Sequence, residues 1–290
     1  EFKTDIAKTP IGLDWFNCFS FGNGVESNRI RDDFNQVTLD KGPVVSSTID
    51  SNYETEHRTS GLIFSGIYNS TTGVNNLNQF LITEGITKDL NPFYGSIQKL
   101  FSRNNDFLAF CEDKVLRILA NKDAMFNADG NPQLLSTNRV LGQAMPFAGE
   151  FGISKNPESF ASDAFRIYFT DKTRSAVLRL SMDGVTVISD YGMSDWFSDN
   201  LKNNNHLVGS FDNDKNEYNL TLVNSATTVS FDDEVNGWCS FKSFVTDFGA
   251  LSLGSDYYTF NEGNLFIHHV EDVDRNTFYN EFTESDIGVK

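Results

Sequence analysis

The sequence predicts an all-β fold: a β-propeller-like array of four-stranded antiparallel blades, with an extended N-terminal arm and short helical inserts. Three observations carry that expectation. Short alternating strands punctuated by polar turns follow one another from Phe93 onward. Landmarks recur at a blade-sized interval: Trp196 and Trp238 are 42 positions apart, and the turns opened by Asp171 and Asp212 are 41 apart. The chain is also rich in aromatics, with 27 Phe against 3 Trp in 290 residues. Such side chains favour pleated, half-buried surfaces and rule out a disordered chain.

In chain order, residues 1–57 read as an arm with entry strands and 58–290 as the propeller. The stretch from Phe19 to Phe34 is polar, charged and broken at Gly22-Asn23-Gly24, with no sustained period. From Asn75 to Tyr94, Leu77, Phe80, Leu81 and Ile86 have short helical spacing that Gly85 and Pro92 limit, so one or two helical turns in a loop are expected. The first meander runs Gly95–Ser102, Asp106–Cys111 and Lys114–Leu119, with a turn at Glu112-Asp113.

The second unit runs Phe165–Thr170, a turn at Asp171-Lys172, Ser175–Leu180, and a tight hairpin at Met182-Asp183-Gly184-Val185 before Thr186-Val187-Ile188. Asp-Gly between apolar runs predicts a type I′ turn, which needs two residues with φ > 0. The third unit runs His206–Phe211, the turn Asp212–Asn216, Glu217–Leu222 and Thr227–Phe231, reaching Trp238. The fourth has Ala250–Leu253, Asp256–Phe260, a turn at Asn261-Glu262-Gly263, and Leu265–His268. An open meander of this length would leave edge strands free, whereas radial closure protects them. Helix is confined to inserts: Ser194–Leu201, with Ser194 as N-cap, and a turn starting at Asn156-Pro157.

Composition narrows function. Lys plus Arg number 23 against 40 Asp plus Glu, a formal net charge of −17 that repels phosphate and excludes a sequence-reading nucleic-acid binder. Cys18, Cys111 and Cys239 are far apart and form no C-x-x-C pair, which fits small buried hydrophobes in place of a disulfide framework or zinc site. No run approaches 18 consecutive apolar residues. The start, Glu1-Phe2-Lys3-Thr4-Asp5, has no initiating Met or signal h-region, as expected of a piece of a longer chain.

Candidate chemistry is sparse. Asp212, Asp214 and Asn216 have the oxygen spacing of a calcium loop, but Glu217 stands where the loop needs Gly and Val223 where it needs Glu, so a hairpin turn is the better reading. Asp123 to Gly130 offers loop carboxylates with poorer spacing. His268 and His269 are adjacent, and neighbours on a strand point to opposite faces, so only one can face a given site. Ser181 and Ser189 lack a G-x-S-x-G context, and no Gly-rich phosphate loop opens a helix. Arg29, Arg31, Asp32 and Asp33 form a charge cluster suited to a contact between subunits or to a solvated turn. No catalytic residue and no cofactor is singled out.

Three phrases, Trp15-Phe16-Asn17-Cys18-Phe19-Ser20-Phe21-Gly22-Asn23-Gly24-Val25-Glu26-Ser27, Asn91 to Leu100, and Gly152 to Ala161, resemble those of the muzzle (tail stabilisation or nozzle) proteins of crAss-like podoviral bacteriophages. So do Tyr168 to Leu180 and the segments at Trp238 and Tyr257-Tyr258. The resemblance implies a non-enzymatic virion component, made in the bacterial cytoplasm and built into the phage tail. It would form a ring with copies of itself around the tail axis for DNA exit and host contact, meet neighbouring tail or ring proteins, and let DNA pass without specific binding. An acidic wall suits such a conduit, since basic walls would hold the phosphates.

The alternative from the residues is a carbohydrate-binding or glycan-degrading propeller acting on bacterial surface polysaccharide, with Trp196, Trp238, Tyr257 and Tyr258 as sugar platforms; burial of these rings would count against it. A third reading, a secreted adhesin, requires a signal peptide on the full-length gene.

Overall fold

Among the described residues the strands are short, and several of the turns between them are built on Asp, Asn, Ser or Gly. The computed structural model describes residues 58–75, 77, 87–103, 106–126, 132–270, 277–278 and 281–282. The expected entry arm, with Cys18, its Gly22-Asn23-Gly24 turn and the Arg29, Arg31, Asp32, Asp33 cluster, lies outside those residues, as does most of 76–86.

The described chain opens with β1 (Gly61–Ile63), the small hairpin β2 (Tyr68–Asn69) and β3 (Val74–Asn75), and β4 (Thr87–Asp89), which pairs antiparallel with β1. A 3₁₀ turn at Pro92–Tyr94 follows, with the Asn91 side chain accepting from the Phe93 amide. Four sheets come next, each a meander. Blade 1 is β5 (Ile97–Arg103), β6 (Asp106–Cys111), β7 (Val115–Phe126) and β8 (Pro132–Pro146). Blade 2 is β9 (Ala161–Ser162), β10 (Ile167–Asp171), β11 (Ala176–Ser181) and β12 (Gly184–Val187).

After helix α1 (Ser194–Asn200), blade 3 is β13 (Leu207–Asp212), β14 (Glu217–Leu222), β15 (Thr227–Asp232) and β16 (Gly237–Lys242). Blade 4 has three strands, β17 (Ala250–Leu253), β18 (Asp256–Asn261) and β19 (Asn264–Ile267). A short hairpin, β20 (Thr277–Phe278) and β21 (Glu281–Phe282), follows. The first strands of blades 2, 3 and 4 lie side by side, β13 touching both β9 and β17, as the inner row of a propeller-like array does.

Three hairpins share one device. Asp171, Asp212 and Asp232 each end a strand, and each uses Oδ1 to accept the amide three residues on, from Arg174, Lys215 and Val235. The next residue in each, Ser175, Asn216 or Asn236, takes the left-handed conformation at φ 52–56° and sends the chain back. These turns do not occupy equivalent places, however. Asp171 joins the second and third strands of its blade, Asp212 the first and second, so their spacing of 41 is not the blade repeat. The blade repeat is set by the first strands, which begin at Ala161, Leu207 and Ala250.

Other expectations are corrected. In the β11–β12 hairpin, Ser181 pairs with Gly184, so Met182 and Asp183 are the central residues and only Gly184 has positive φ, at 115°. The turn is not type I′; the positive-φ pair sits instead at Glu262 (50°) and Gly263 (78°), between β18 and β19. Ser194 is the first residue of α1 and not its cap; Met193 holds the cap position, with no side-chain bond. Asp123 lies in strand β7 opposite Leu135, where a loop was expected, because β7 and β8 extend past the blade as one long ribbon. Trp196 is on α1 and Trp238 on β16, so the two are not equivalent blade positions.

The core lies in the seams. Between blades 1 and 2, Leu108, Phe110, Ile153, Phe169, Leu178 and Leu180 are fully buried together. Between blades 2 and 3, α1 fills the outer gap with Phe197 and Leu201, which pack with Val177, Leu220 and Phe231. Before blade 1, Leu62, Leu90 and Tyr94 cover Ala109, Leu116 and Ile118. Each such side chain contributes about 1.5–3 kcal/mol through burial. Seams are tight: a Cβ on Gly209 would sit 1.9 Å from the Ser159 carbonyl oxygen, and one on Gly152 would sit 2.2 Å from that of Glu112.

Candidate functional site

Buried polar and ionisable groups gather where blades meet. Between blades 1 and 2, Asp171 is fully buried; it accepts from the Gly152 amide (3.2 Å), the Ser154 hydroxyl (2.9 Å) and Arg174 Nη1 (2.9 Å). Arg174 also reaches Asp113 on the facing hairpin at 3.1 Å, so one guanidinium ties both blades. Beside it, Glu112 accepts from the Ser96 hydroxyl and amide, and these bonds hold its carboxyl below the usual range.

Between blades 2 and 3, Asp233 takes Tyr168, Arg166 and Arg179 at once: the Tyr168 hydroxyl and Arg179 Nη1 donate to its two oxygens, with Arg166 at 3.0 Å. Burial, and then the Asp233 carboxylate, push the Tyr168 hydroxyl well above its ordinary pKa, so it stays a donor. The Tyr168 ring is stacked between Tyr218 (4.8 Å) and Phe211 (5.8 Å). Sequence reasoning missed this cluster, since Asp233 reads as one more turn carboxylate; the one signal was the consecutive Asp232-Asp233 pair, of which only Asp232 serves the turn.

Between blades 3 and 4 the facing surfaces are polar. Strand pairing lines up Ser210, Asn219, Ser230 and Ser240 on one face of blade 3, with Thr221 and Thr228 one step along. Ser210 meets the Tyr257 hydroxyl at 2.7 Å, and Thr228 donates to the Phe244 carbonyl at 2.6 Å. Lys242 bridges Glu217 (2.5 Å) and Asn219 Oδ1 (3.1 Å).

Both histidines reach this seam. His268 Nε2 lies 2.7 Å from the Thr259 hydroxyl, and His269 Nε2 lies 2.7 Å from Asp212 Oδ2. Strict alternation would have sent them to opposite faces. His269 has φ +60°, just past β19, and that left-handed step turns its ring back toward blade 3. Burial, reinforced by His269, lowers His268 to a pKa of about 4, so it is neutral at neutral pH.

The calcium-loop candidates have hairpin roles. Asp212 is fully buried and spends Oδ1 on the amides of Asp214 and Lys215 and Oδ2 on His269. Asp214 pairs with neighbouring Lys215 at 3.1 Å, and Asn216 is the left-handed residue. Among the described residues no three His, Cys, Asp or Glu side chains converge as metal ligands.

The sugar-platform aromatics are largely packed away: Trp196 sits edge-on against Phe197 and Phe241, Trp238 packs on Phe231 and donates to the Ile188 carbonyl at 3.0 Å, and Tyr257 is 1% exposed. Tyr258 is half-buried and bonds Asp256. A shallow groove of about 230 Å³ runs along the inner strands, lined by uncharged residues including Ala161, Gly209, Phe211, Ala250 and Ser252. Cys111 is buried, and burial raises its thiol to about 11, while Cys239 is exposed. No helix among the described residues is long and apolar enough to cross a membrane.

No family model matches the chain, and no curated protein matches it. Among solved structures it is similar to virginiamycin B lyase from Staphylococcus aureus, at 12% identity and TM-score 0.34, over 64% of this chain and 60% of that one. A catalytically inactive form of that lyase with quinupristin gives 12% and 0.34, over 63% and 59%. A luciferin-regenerating enzyme gives 8% and 0.28, over 60% and 71%. The chain thus spans about 60% of the length of the lyase. At these scores neither chemistry nor fold transfers; the blade array rests on this chain's own sheets and their order.

Proposed function

We propose that this chain is a structural, non-enzymatic component of a phage tail tip of the muzzle type. It acts by assembly with copies of itself and with neighbouring tail or ring proteins, around an axis along which DNA leaves. The observation that carries the reading is where its buried polar groups are used. Asp171, Asp233 and Asp212, the three buried or nearly buried carboxylates of the seams, are each held by groups of an adjoining blade or of the connection leading to it. A catalytic carboxylate needs a free face toward substrate. These carboxylates instead lock rigid blades to one another, as a load-carrying spacer requires.

The net charge of −17 supports the same reading, because an acidic protein lets phosphate pass without retaining it. The glycan alternative draws less support, since three of its four aromatic platforms serve as packing. The test is electron microscopy of intact phage particles labelled with antibodies raised against this protein. Label at the tail tip is expected. Particles without label, or label confined to the bacterial envelope, would overturn the proposal.

A further inference from the structure

The shallow groove along the inner strands has a chemistry of its own. It is built on the first strands of three blades, with small residues at Ala161, Gly209 and Ala250. At about 230 Å³ it falls below the roughly 300–1,000 Å³ of drug-sized pockets and suits a body of about one sugar ring. Groups able to hydrogen-bond line it. β13 is the edge of its sheet, and the Phe211 carbonyl accepts from the Ser252 hydroxyl at 2.7 Å; by alternation Gly209 turns its own amide and carbonyl to that outer side. Asn213 donates through Nδ2 to the Gly254 carbonyl at 3.2 Å, which leaves Oδ1 to accept, and Ser162 is exposed.

One cation stands beside these groups. Phe160 lines the groove, and Lys99 Nζ of β5 lies over the Phe160 ring, 4.3 Å from its centroid. Lys99 is half-buried, yet among the described residues its ammonium makes no ion pair. Arg174, Arg179 and Lys242, in the seams, are by contrast already spent on carboxylates. Burial lowers the Lys99 pKa from its ordinary value, and the attraction of exposed Glu158 only partly offsets this. The ammonium has lost water without gaining a carboxylate.

We propose that the groove and Lys99 together bind a sugar-sized monocarboxylate, the chemistry of a uronic acid. The carboxylate meets Lys99, and the hydroxyls of the body exchange hydrogen bonds with Gly209, Asn213 and Ser162. One cation matches one negative charge, which disfavours a phosphate dianion. None of the described lining residues is Asp or Glu, so the ammonium of an amino acid would lie there without a partner. This inference does not depend on the tail-tip reading, and it uses none of the four aromatic platforms of the glycan alternative.

The experiment follows binding of glucuronate to the full chain by saturation-transfer NMR, with glucose as the neutral probe and acetate as the bare anion. Saturable glucuronate binding is expected, with glucose about tenfold weaker for want of the charged hydrogen bond. Lys99→Met keeps the stem on the Phe160 ring and removes the charge, and should bring glucuronate down to the level of glucose. Ser162→Trp, at an exposed position, should fill the groove and abolish binding of both sugars. A urea midpoint for each variant confirms that it folds. No saturable glucuronate binding would overturn the proposal, as would glucose binding as tightly as glucuronate or glucuronate binding that survives both substitutions. Acetate displacing glucuronate at equal concentration would also overturn it, because the groove would then contribute nothing.

Discussion

Blade 3 presents two unlike faces, and the contrast between its two seams shows how the fold divides strength from register. Toward blade 2 it offers Phe211, Tyr218, Leu220, Val229 and Phe231, all in one buried cluster with α1. Toward blade 4 it offers Ser210, Asn219, Thr221, Thr228 and Ser230, each nearly or fully buried and almost all hydrogen-bonded. The apolar seam draws its stability from area removed from water, which is large and non-directional. The polar seam exchanges water's hydrogen bonds for protein ones, at a net of about 1 kcal/mol each, but only one alignment of the blades satisfies them all. One orphan remains, the buried Asn219 Nδ2, whose partner oxygen is already taken by Ser230 and Lys242.

The contrast can be broken first at its strong side. Phe231→Ala should cost about 3–5 kcal/mol, measured by urea unfolding, whereas Tyr257→Phe, which removes the bond to Ser210 and keeps the ring, should cost about 1 kcal/mol. Equal losses would mean the two seams are held by the same kind of force. Next in size is Gly209→Ala, which drives a methyl into the Ser159 carbonyl and should cost about 3 kcal/mol in the same assay. Gly237→Ala, with open space around its Cβ, is the control and should change stability far less.

Asp233→Asn tests the clamp that sits beside the aromatic stack. Leaving Arg166 and Arg179 without their carboxylate should lower stability by about 2 kcal/mol, read as a shift in the urea midpoint at pH 7. An unchanged midpoint would reduce the cluster to decoration on an apolar seam.

The mildest probe is pH, and the variant at His268 isolates what the polar seam contributes to it. Burial lowers His268 to a pKa of about 4 in the folded chain, against an ordinary value of 6.5. Between these values the unfolded chain binds a proton that the folded one does not, so stability falls as pH drops from 6.5 toward 4 and levels off below. The loss should be on the order of 2 kcal/mol after allowance for partial exposure, and His268→Phe should flatten that segment of the stability-versus-pH curve.

Much of the strand plan was legible because strand signals are local. Ile167–Asp171, Ala176–Ser181, Leu207–Asp212 and Glu217–Leu222 alternate or run apolar between turn residues, and the sequence expectation meets the structure there within a residue or two. The Asp–Gly turn went wrong by one position because register, which depends on the facing strand, decides which residue becomes central. The candidate site was far less legible. Asp233, Tyr168 and Arg179 lie in different elements, up to 65 residues apart, and no local pattern links them.

By itself, then, the sequence determined the material of this protein: an acidic, aromatic-rich chain that alternates into short strands and turns at Asp, Asn and Gly. These properties depend on each residue and its near neighbours. Only the tertiary structure decided which Asp caps a turn and which clamps a seam, that a left-handed His269 brings two adjacent histidines to one interface, and which apolar side chains of blade 4, Leu253 and Leu265 among them, are exposed among the described residues. Those outcomes depend on which surfaces meet across long stretches of chain, where burial and hydrogen bonding are settled between partners that local pattern does not pair.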